Sequence, residues 1–459
     1  MTGFFEAASN DDVLRLITQV ALLLGAARLL GALAQRLGQP TVVGEILAGV
    51  ALGPSVLSSV VPAVGTWIVP QTELQGYLLE TVSLVGVMLL LVVTGLETDL
   101  ALIRRRLRVA FGVAVGGLVL PFATGLALGY ALPEDMVGQP GARTVFALFV
   151  ATALSISAIP VLAKVLMDLD LMRRELGQTM LAAGMIDDIT GWTLLGLVTA
   201  LAGAGALSAG IVLETVLVVV LFVAVTATVG RWLVTKSLSF VQERVALRDG
   251  VLTLVIVLAF AWAGFSHALH LEPVIGAFAI GILFGRLPRL PVDTVHKLES
   301  LALAVFAPVF FATAGLKVDV GAILQPRLLG LTLAVIAVAT VGKVVGAYAG
   351  ARYLSRQDHW TSLAFGSGLN ARGALEIIIA TIGLSLGILS VPMFSIIVVM
   401  AVVTSLMAPV ALRICLRHVE PNLEEVERLE RSEALDSSYA SRFRRILIPV
   451  RPSTSAGPA

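Results

Sequence analysis

The sequence predicts an all-α protein that crosses a membrane about thirteen times. Of its 459 residues, 57% are hydrophobic and only 14% are charged, whereas about 25% of residues are charged in soluble proteins. Apolar segments long enough to cross a bilayer as helices also recur along the whole chain. The predicted spans are residues 12–36, 40–61, 79–97, 107–132, 144–166, 176–202, 207–230, 250–270, 272–286, 298–316, 328–354, 360–386 and 391–414.

The basic residues predict how the chain is oriented. If the N-terminus lies outside and the spans alternate, most Lys and Arg residues fall in cytoplasmic loops or in the C-terminal tail. Four fall on the outer side: Arg15, Arg143, Lys317 and Arg327. Because cytoplasmic loops are enriched in Lys and Arg, we expect residues 1–11 outside and the tail 415–459 in the cytoplasm. The tail is polar, and we expect it to be disordered.

Two pairs of segments resemble each other between the halves of the chain. PTVVGEILAGVALGP in the second span resembles PVIGAFAIGILFGRLP in the ninth, and TGLETDL at 94–100 resembles AGLKVDV at 314–320. The matched segments lie seven spans apart, so the copies face opposite ways, as in the inverted repeats of secondary transporters. We therefore predict one transmembrane domain, 12–414, with six-helix repeats at 12–202 and 250–414 and a connector helix at 207–230. General packing of small residues is the alternative explanation.

Broken helices are expected at matching places in the two repeats. The fifth span, FALFVATALSISAIPVLAKVL, carries a proline in its middle, and the twelfth, LAFGSGLNARGALEIIIATIGL, is rich in glycine. Broken helices at such positions indicate a transport site near the midplane, although a proline kink and a packing face would give similar patterns. The residues expected at the crossing are Thr152, Ser155, Ser157, Pro160, Gly368 and Asn370.

Asp187 and Asp188 lie side by side within the long apolar stretch MLAAGMIDDITGWTLLGLVTAL. A charge at the centre of a bilayer is costly, by about 3 kcal/mol or more. Two neighbouring carboxylates also repel each other, so the pair is expected to bind a proton or a cation. We predict that they hold a monovalent cation and that the protein moves ions or protons.

Other charged residues also lie inside predicted spans. Lys343 is about 20 Å from either interface, too far for its side chain to reach the headgroups. It should therefore meet a buried acid, Asp187 or Asp188, with Asp187 favoured. Arg372 and Glu376 have the i, i+4 spacing of a pair within one helix. For these two and for Glu45, a structural or charge-balancing role is expected.

The motifs together resemble the bacterial monovalent cation:proton antiporter-2 family, within the sodium/hydrogen exchanger superfamily. The similarity covers about residues 12–414 and rests on the segments QPTVVGEILAGVALGPSVL, VTGLETDL, ATALSISAIPVLAKVL, GMIDDITGW, FFATAGLKVDV, VGKVVGAYAG and GLNARGALEI. The last segment, with Arg372, looks more like the plant cation/proton exchanger branch than like the bacterial sodium exchangers.

The resemblance implies a homodimer in which a core domain moves against a dimerisation domain. It also implies that Asp188 is the principal carrier of cation and proton, and that Asp187 pairs with Lys343. Relatives with two aspartates at this place are generally electrogenic.

The sequence therefore predicts an inner-membrane antiporter that exchanges Na+ for H+ by alternating access, with Asp188 as the shared site. Exchange of K+ for H+, or export of another cationic solute, is the first alternative, and a gated cation channel is the second. We expect no cofactor, no nucleic-acid partner and no enzymatic activity, since no catalytic set or phosphate loop is present. The single cysteine, Cys415, excludes an intramolecular disulfide.

Overall fold

The computed structural model describes residues 9–419, except 38, 55, 140, 205–208, 245–248, 270, 288–289, 319–320 and 322–324. In these residues the backbone is helical almost throughout, and the one pairing of extended backbone is an isolated bridge between Val137 and Leu389. The all-α prediction is confirmed. The predicted disorder of residues 420–459 concerns residues outside the described part.

The first half of the chain forms nine helices in the described residues. They are α1 (Asn10–Arg36), α2 (Thr41–Leu52), α3 (Leu57–Val60), α4 (Pro62–Ile68), α5 (Glu73–Leu96), α6 (Leu100–Ala131), α7 (Arg143–Ser155), α8 (Ile159–Asp168) and α9 (Glu175–Ala204).

The second half of the chain forms ten α-helices in the described residues. Its helices are α10 (Ala209–Val225), α11 (Arg231–Arg244), α12 (Gly250–Ala268), α13 (Pro273–Gly285), α14 (Val292–Leu301), α15 (Ala307–Leu316), α16 (Pro326–Ala349), α17 (His359–Leu369), α18 (Ala374–Ser385) and α19 (Val391–Leu416). Wider π-type turns at Thr226–Gly230 and Ala302–Phe306 join α10 to α11 and α14 to α15.

Ten helical stretches of the described residues are long and apolar enough to cross a membrane. Two shorter apolar helices, α2 and α13, and the helix pair α17–α18 lie between them. The protein is thus a multi-pass membrane protein, as predicted. The total of thirteen spans and their arrangement as two repeats stay predictions.

Several helix ends differ from the predicted limits of the spans. Helix α5 begins at Glu73 rather than 79, and α6 begins at Leu100 rather than 107. Capping explains both starts, because the Thr72 side chain accepts from Gln75 N–H and the Asp99 side chain accepts from the first turn of α6. Hydropathy locates the limit of an apolar segment, whereas a capped helix extends past that limit into polar residues.

The described helices pack into two bundles. The crossing bundle contains α6, α7, α8, α9, α16, α17, α18 and α19, and the flanking bundle contains α1, α2, α5, α12, α13, α14 and α15. The two bundles touch mainly where α8 meets α2 and α5, where α18 meets α15, and where α19 meets α2. Both broken helices therefore lie along the boundary between the bundles.

Glycines allow the helices of the flanking bundle to approach closely. A Cβ atom added to Gly49 on α2 would lie 1.9 Å from Ala312 O on α15, and one added to Gly281 on α13 would lie 2.3 Å from Val92 O on α5. Such distances admit no side chain, so the backbones themselves are in contact. These two glycines hold matching positions in the predicted repeats.

Gly281→Ala should destabilise the protein, because its new methyl group would meet the backbone of α5. Overpacking of this kind typically costs about 1–3 kcal/mol, so the melting temperature in detergent should fall. Gly264→Ala on α12 is the matched control, since nothing lies within 4 Å of its added Cβ. Equal melting temperatures for the two variants would contradict this packing.

Candidate functional site

Two broken helices cross at the centre of the crossing bundle. Helix α7 ends at Ser155 and α8 begins at Ile159, while α17 ends at Leu369 and α18 begins at Ala374. Pro160 is in the first turn of α8, where its missing N–H leaves no helical bond across the break. The breaks touch directly, because Ala158 N–H donates to Ala371 O at 2.9 Å. The chain is thus interrupted in both helices where the sequence predicts it.

Lys343 and Asp187 form a buried ion pair at this crossing. Lys343 Nζ on α16 lies 2.6 Å from Asp187 Oδ2 on α9, and the two side chains are 0% and 1% exposed. Lys343 Nζ also donates to Ser155 O at 2.6 Å. Since Ser155 is the last residue of α7, the ammonium group satisfies a helix-terminal carbonyl as well as the acid.

Ser157 connects the ion pair to the second broken helix. Its hydroxyl lies 2.9 Å from Asp187 Oδ2 and 2.8 Å from Leu369 O at the end of α17. One serine in the first break thus contacts both the acid on α9 and the carbonyl end of the second broken helix.

Asp188 has a different environment from its neighbour. It is 4% exposed, and its Oδ1 has no hydrogen-bond partner among the described residues. It lines a cavity of about 380 Å³ between the two bundles, together with Pro160, Glu272 and Thr313. Thr313 Oγ1 is likewise buried without a described partner. The cavity therefore offers carboxylate and hydroxyl oxygens with free lone pairs, which suits a proton or a hard cation.

Arg372 and Glu376 do not pair with each other as their spacing suggested. Arg372 lies in the break before α18 begins, so the geometry of a continuous helix does not apply. Its guanidinium donates to Leu154 O at 2.5 Å and lies 2.9 Å from Met400 Sδ. Glu376 instead accepts from Gly373 N–H at 2.6 Å and caps α18. Both side chains therefore make structural contacts: Arg372 with a carbonyl at the end of α7, and Glu376 with the start of α18.

Glu45 lies away from the crossing. It is 1% exposed on α2, where its Oε1 is 3.8 Å from Lys164 Nζ on α8. Lys164 also pairs with Asp168 at 2.9 Å, and Asp168 accepts from Thr41 Oγ1 at 2.7 Å. This cluster connects α8 of the crossing bundle to α2 of the flanking bundle.

The remaining predicted residues take supporting positions. The hydroxyls of Thr152 and Ser155 bond to backbone carbonyls of their own helix, those of Leu148 and Thr152. Gly368 allows close contact with α9, since an added Cβ would lie 2.7 Å from Met180 Sδ. Asn370 is buried in the second break, and its Oδ1 has no described partner.

Sequence reasoning missed three residues of this region. Glu272 and Thr313 line the Asp188 cavity, and Lys164 joins the two bundles. The signal for Thr313 was present, because it lies in the motif FFATAGLKVDV. Glu272 follows a turn, and Lys164 sits close to the end of a span, so hydropathy did not indicate that either lies between the bundles.

Comparison with known proteins shows extensive similarity. The profile of the family described as "Sodium/hydrogen exchanger, transmembrane" matches residues 21–418. The Na+/H+ antiporter NhaS4 of Synechocystis sp. is 31% identical over 409 residues, covering 88% of this chain and 98% of that protein. The Na+/H+-K+ antiporter GerN of Bacillus cereus is 32% identical over 395 residues, covering 86% of this chain and 95% of that protein.

Other similarities concern a longer protein and a solved structure. Cation/H+ antiporter 20 of Arabidopsis thaliana is 32% identical over 402 residues, and the match spans 85% of this chain but 47% of that protein. The solved structure of the sodium proton antiporter MjNhaP1 from Methanocaldococcus jannaschii superposes with a TM-score of 0.62 at 16% identity. It covers 88% of this chain and 99% of that structure, so the two share a fold.

Lys343→Ala should lower the melting temperature strongly, because it leaves Asp187 buried without its partner. Breaking a buried ion pair in this way costs about 3–5 kcal/mol. Asp187→Asn in the Lys343→Ala background should restore part of the loss. The matched control is Lys317→Ala, which removes a half-exposed pair with Glu80 and should cost about 1 kcal/mol or less. Strictly additive effects of the two substitutions would show that Lys343 and Asp187 are not partners.

Proposed function

Because the chain belongs to the sodium/hydrogen exchanger family, we propose that it exchanges a monovalent cation for protons and that Asp188 is the carboxylate which both share. It is a secondary transporter and not an enzyme. The observation that carries the proposal is the environment of Asp188. It is a buried carboxylate on the wall of a cavity between two bundles, and one of its oxygens has no hydrogen-bond partner among the described residues.

The neighbouring acid is engaged elsewhere. Asp187 Oδ2 receives both Lys343 and Ser157, so this oxygen is already neutralised in the present conformation. Asp188 must then exchange its own proton for a cation to avoid an isolated charge in an apolar surrounding. Thr313 and Glu272 supply further oxygens in the same cavity, and Asp187 becomes a second ligand if Lys343 releases it.

The bundle boundary supports alternating access. Glu80 and Lys317 form an ion pair, and both line the Asp188 cavity. Lys317 falls on the outer side in the orientation predicted from the basic residues, so we assign this cavity to the outer face. The cluster of Glu45, Lys164 and Asp168 holds α8 against α2. We propose that the crossing bundle moves along the flanking bundle, which breaks this cluster and presents Asp188 to the other side.

Na+ is the cation that we favour, because NhaS4 and GerN are both named for it. K+ is the alternative, since GerN is also named for K+ and a K+/H+ antiporter of Saccharomyces cerevisiae is 29% identical over 409 residues. We further propose a homodimer in the inner membrane of a bacterial cell, with the N-terminus outside. No resident cofactor and no nucleic acid enter this mechanism. A channel would need a continuous pore, whereas inverted repeats around one buried acidic pair favour a carrier.

Asp188→Asn should abolish cation/proton exchange without preventing insertion into the membrane. The amide cannot exchange a proton for a cation, and removal of a buried charge does not hinder folding. Proton flux in proteoliposomes, driven in turn by Na+, K+ and Li+, measures the effect. Asp293→Asn is the matched control, because that aspartate is 75% exposed. Near-normal exchange by Asp188→Asn would refute the assignment.

Apparent cation affinity should fall as the pH falls, because protons then occupy the shared carboxylate. The half-saturation constant for Na+ or K+ should rise by up to about tenfold per pH unit for each proton displaced, and level off at high pH. Two coupled acids would make the dependence steeper. A half-saturation constant that stays unchanged over about three pH units near neutrality would contradict a shared site and favour a channel.

A further inference from the structure

A larger cavity lies between the two bundles, separate from the one that contains Asp188. Its volume is about 1110 Å³, and its lining shares no residue with the Asp188 cavity. Helices α9 and α18 of the crossing bundle form one side, and α13 with the α10–α11 connection forms the other. The apolar lining includes Met185, Ile189, Val223, Ile275, Phe278 and Ile382.

Three arginines line this cavity beside its apolar walls. Arg104 lies near the start of α6, Arg231 is the first residue of α11, and Arg286 directly follows α13. None of the three forms an ion pair with a described residue. Arg231 and Arg286 also line a smaller neighbouring cavity, which places their side chains close together. The cluster therefore presents unneutralised positive charge next to a long apolar surface.

The length of the apolar surface matches the interior of a bilayer. Ile275 and Arg286 lie eleven residues apart along α13 and its end, about 16 Å by the rise of a helix. One leaflet of the hydrocarbon core is about 15 Å deep. The cavity wall is also open to the side, since Ile189 is 36% exposed and Val223 is 55% exposed. An acyl chain can thus enter from the bilayer and lie along α13.

We propose that this groove binds an anionic phospholipid, with its phosphate on Arg104, Arg231 and Arg286 and its acyl chains between α9 and α13. Arginine recognises phosphate oxygens through its planar set of donors, and clusters of basic residues at the membrane surface attract anionic lipids. A free anion would leave the apolar walls exposed, and an uncharged lipid would leave the arginines unneutralised. An anionic lipid satisfies both parts of the groove.

Two acidic residues lie near the three arginines, but they do not remove the attraction for an anionic lipid. Glu97 and Asp99 line a neighbouring cavity with Arg104 and Arg286. Asp99 accepts from the N–H groups of Ala101 and Leu102, so its carboxylate is engaged in capping α6. Glu97 directly follows α5 and forms no ion pair with any of the three arginines.

The occupied groove has a consequence for movement between the bundles. Its two sides belong to different bundles, and Arg104 is on the crossing bundle while Arg231 and Arg286 lie on the opposite side. A single phosphate would then hold arginines from both sides together. The lipid is therefore placed to favour the conformation in which the arginines converge.

The test compares lipid binding by the purified full-length protein in detergent. Phosphatidylglycerol and phosphatidylcholine with identical acyl chains are titrated, and retained lipid is counted by native mass spectrometry alongside the melting temperature. The triple variant Arg104→Gln, Arg231→Gln, Arg286→Gln is compared with the charge-matched variant Arg36→Gln, Arg105→Gln, Arg108→Gln. Loss of three basic contacts should weaken phosphatidylglycerol binding by roughly 100-fold, whereas the control variant should bind like the unaltered protein.

A second variant tests the apolar half of the groove. Ala279→Trp adds a large side chain to the α13 wall without changing charge, and should also reduce retained phosphatidylglycerol. Inorganic phosphate should give no stabilisation, which distinguishes a lipid from a free anion. Equal binding of the two lipids by the unaltered protein, or equal losses in the groove and control triple variants, would overturn the proposal. These readouts do not depend on transport activity.

Discussion

Lys343 and Arg372 bring two positive charges into the centre of the crossing bundle, where both side chains are fully buried. Each finds a carbonyl at the end of α7: Lys343 at Ser155 O and Arg372 at Leu154 O. A helix end carries partial negative charge, so these contacts lower the cost of burying both the cations and the open carbonyls. The first broken helix therefore depends on residues from the second half of the chain, and the crossing cannot form in one half alone.

The need to neutralise buried charges also gives Asp187 and Asp188 different environments. The ammonium group of Lys343 can form a close ion pair with one carboxylate. Because of the position of α16, that carboxylate is Asp187. Asp188, about 100° further round α9, faces the boundary between the bundles and has no cationic partner in the part of the chain that the structure describes. Because Lys343 pairs with Asp187, neutralisation of Asp188 depends on a proton or cation that enters from the cavity. In the proposed mechanism, this dependence lets a cation and a proton compete for Asp188.

Much of this centre could be predicted from the sequence, because charges within apolar segments are rare and each demands a partner. That demand predicts that Lys343 meets Asp187 or Asp188, with Asp187 favoured, and Pro160 marks the first break. The Arg372–Glu376 pair was wrongly expected, since spacing along a helix has no meaning where the helix is interrupted. The ion pair of Glu45 with Lys164 and the cavity shared by Asp188 and Glu272 join segments distant in the chain. Only packing of the two bundles brings them together, and hydropathy carries no information on it.

The central claim is that a cation and a proton occupy Asp188 in turn. Proton release on cation binding tests it most directly, with purified protein in weakly buffered detergent solution and a pH indicator. Addition of NaCl or KCl, but not of choline chloride, should release about one proton for each cation bound to the shared carboxylate. The release should vanish in Asp188→Asn. Cation binding without proton release, or release that persists in that variant, would contradict the account.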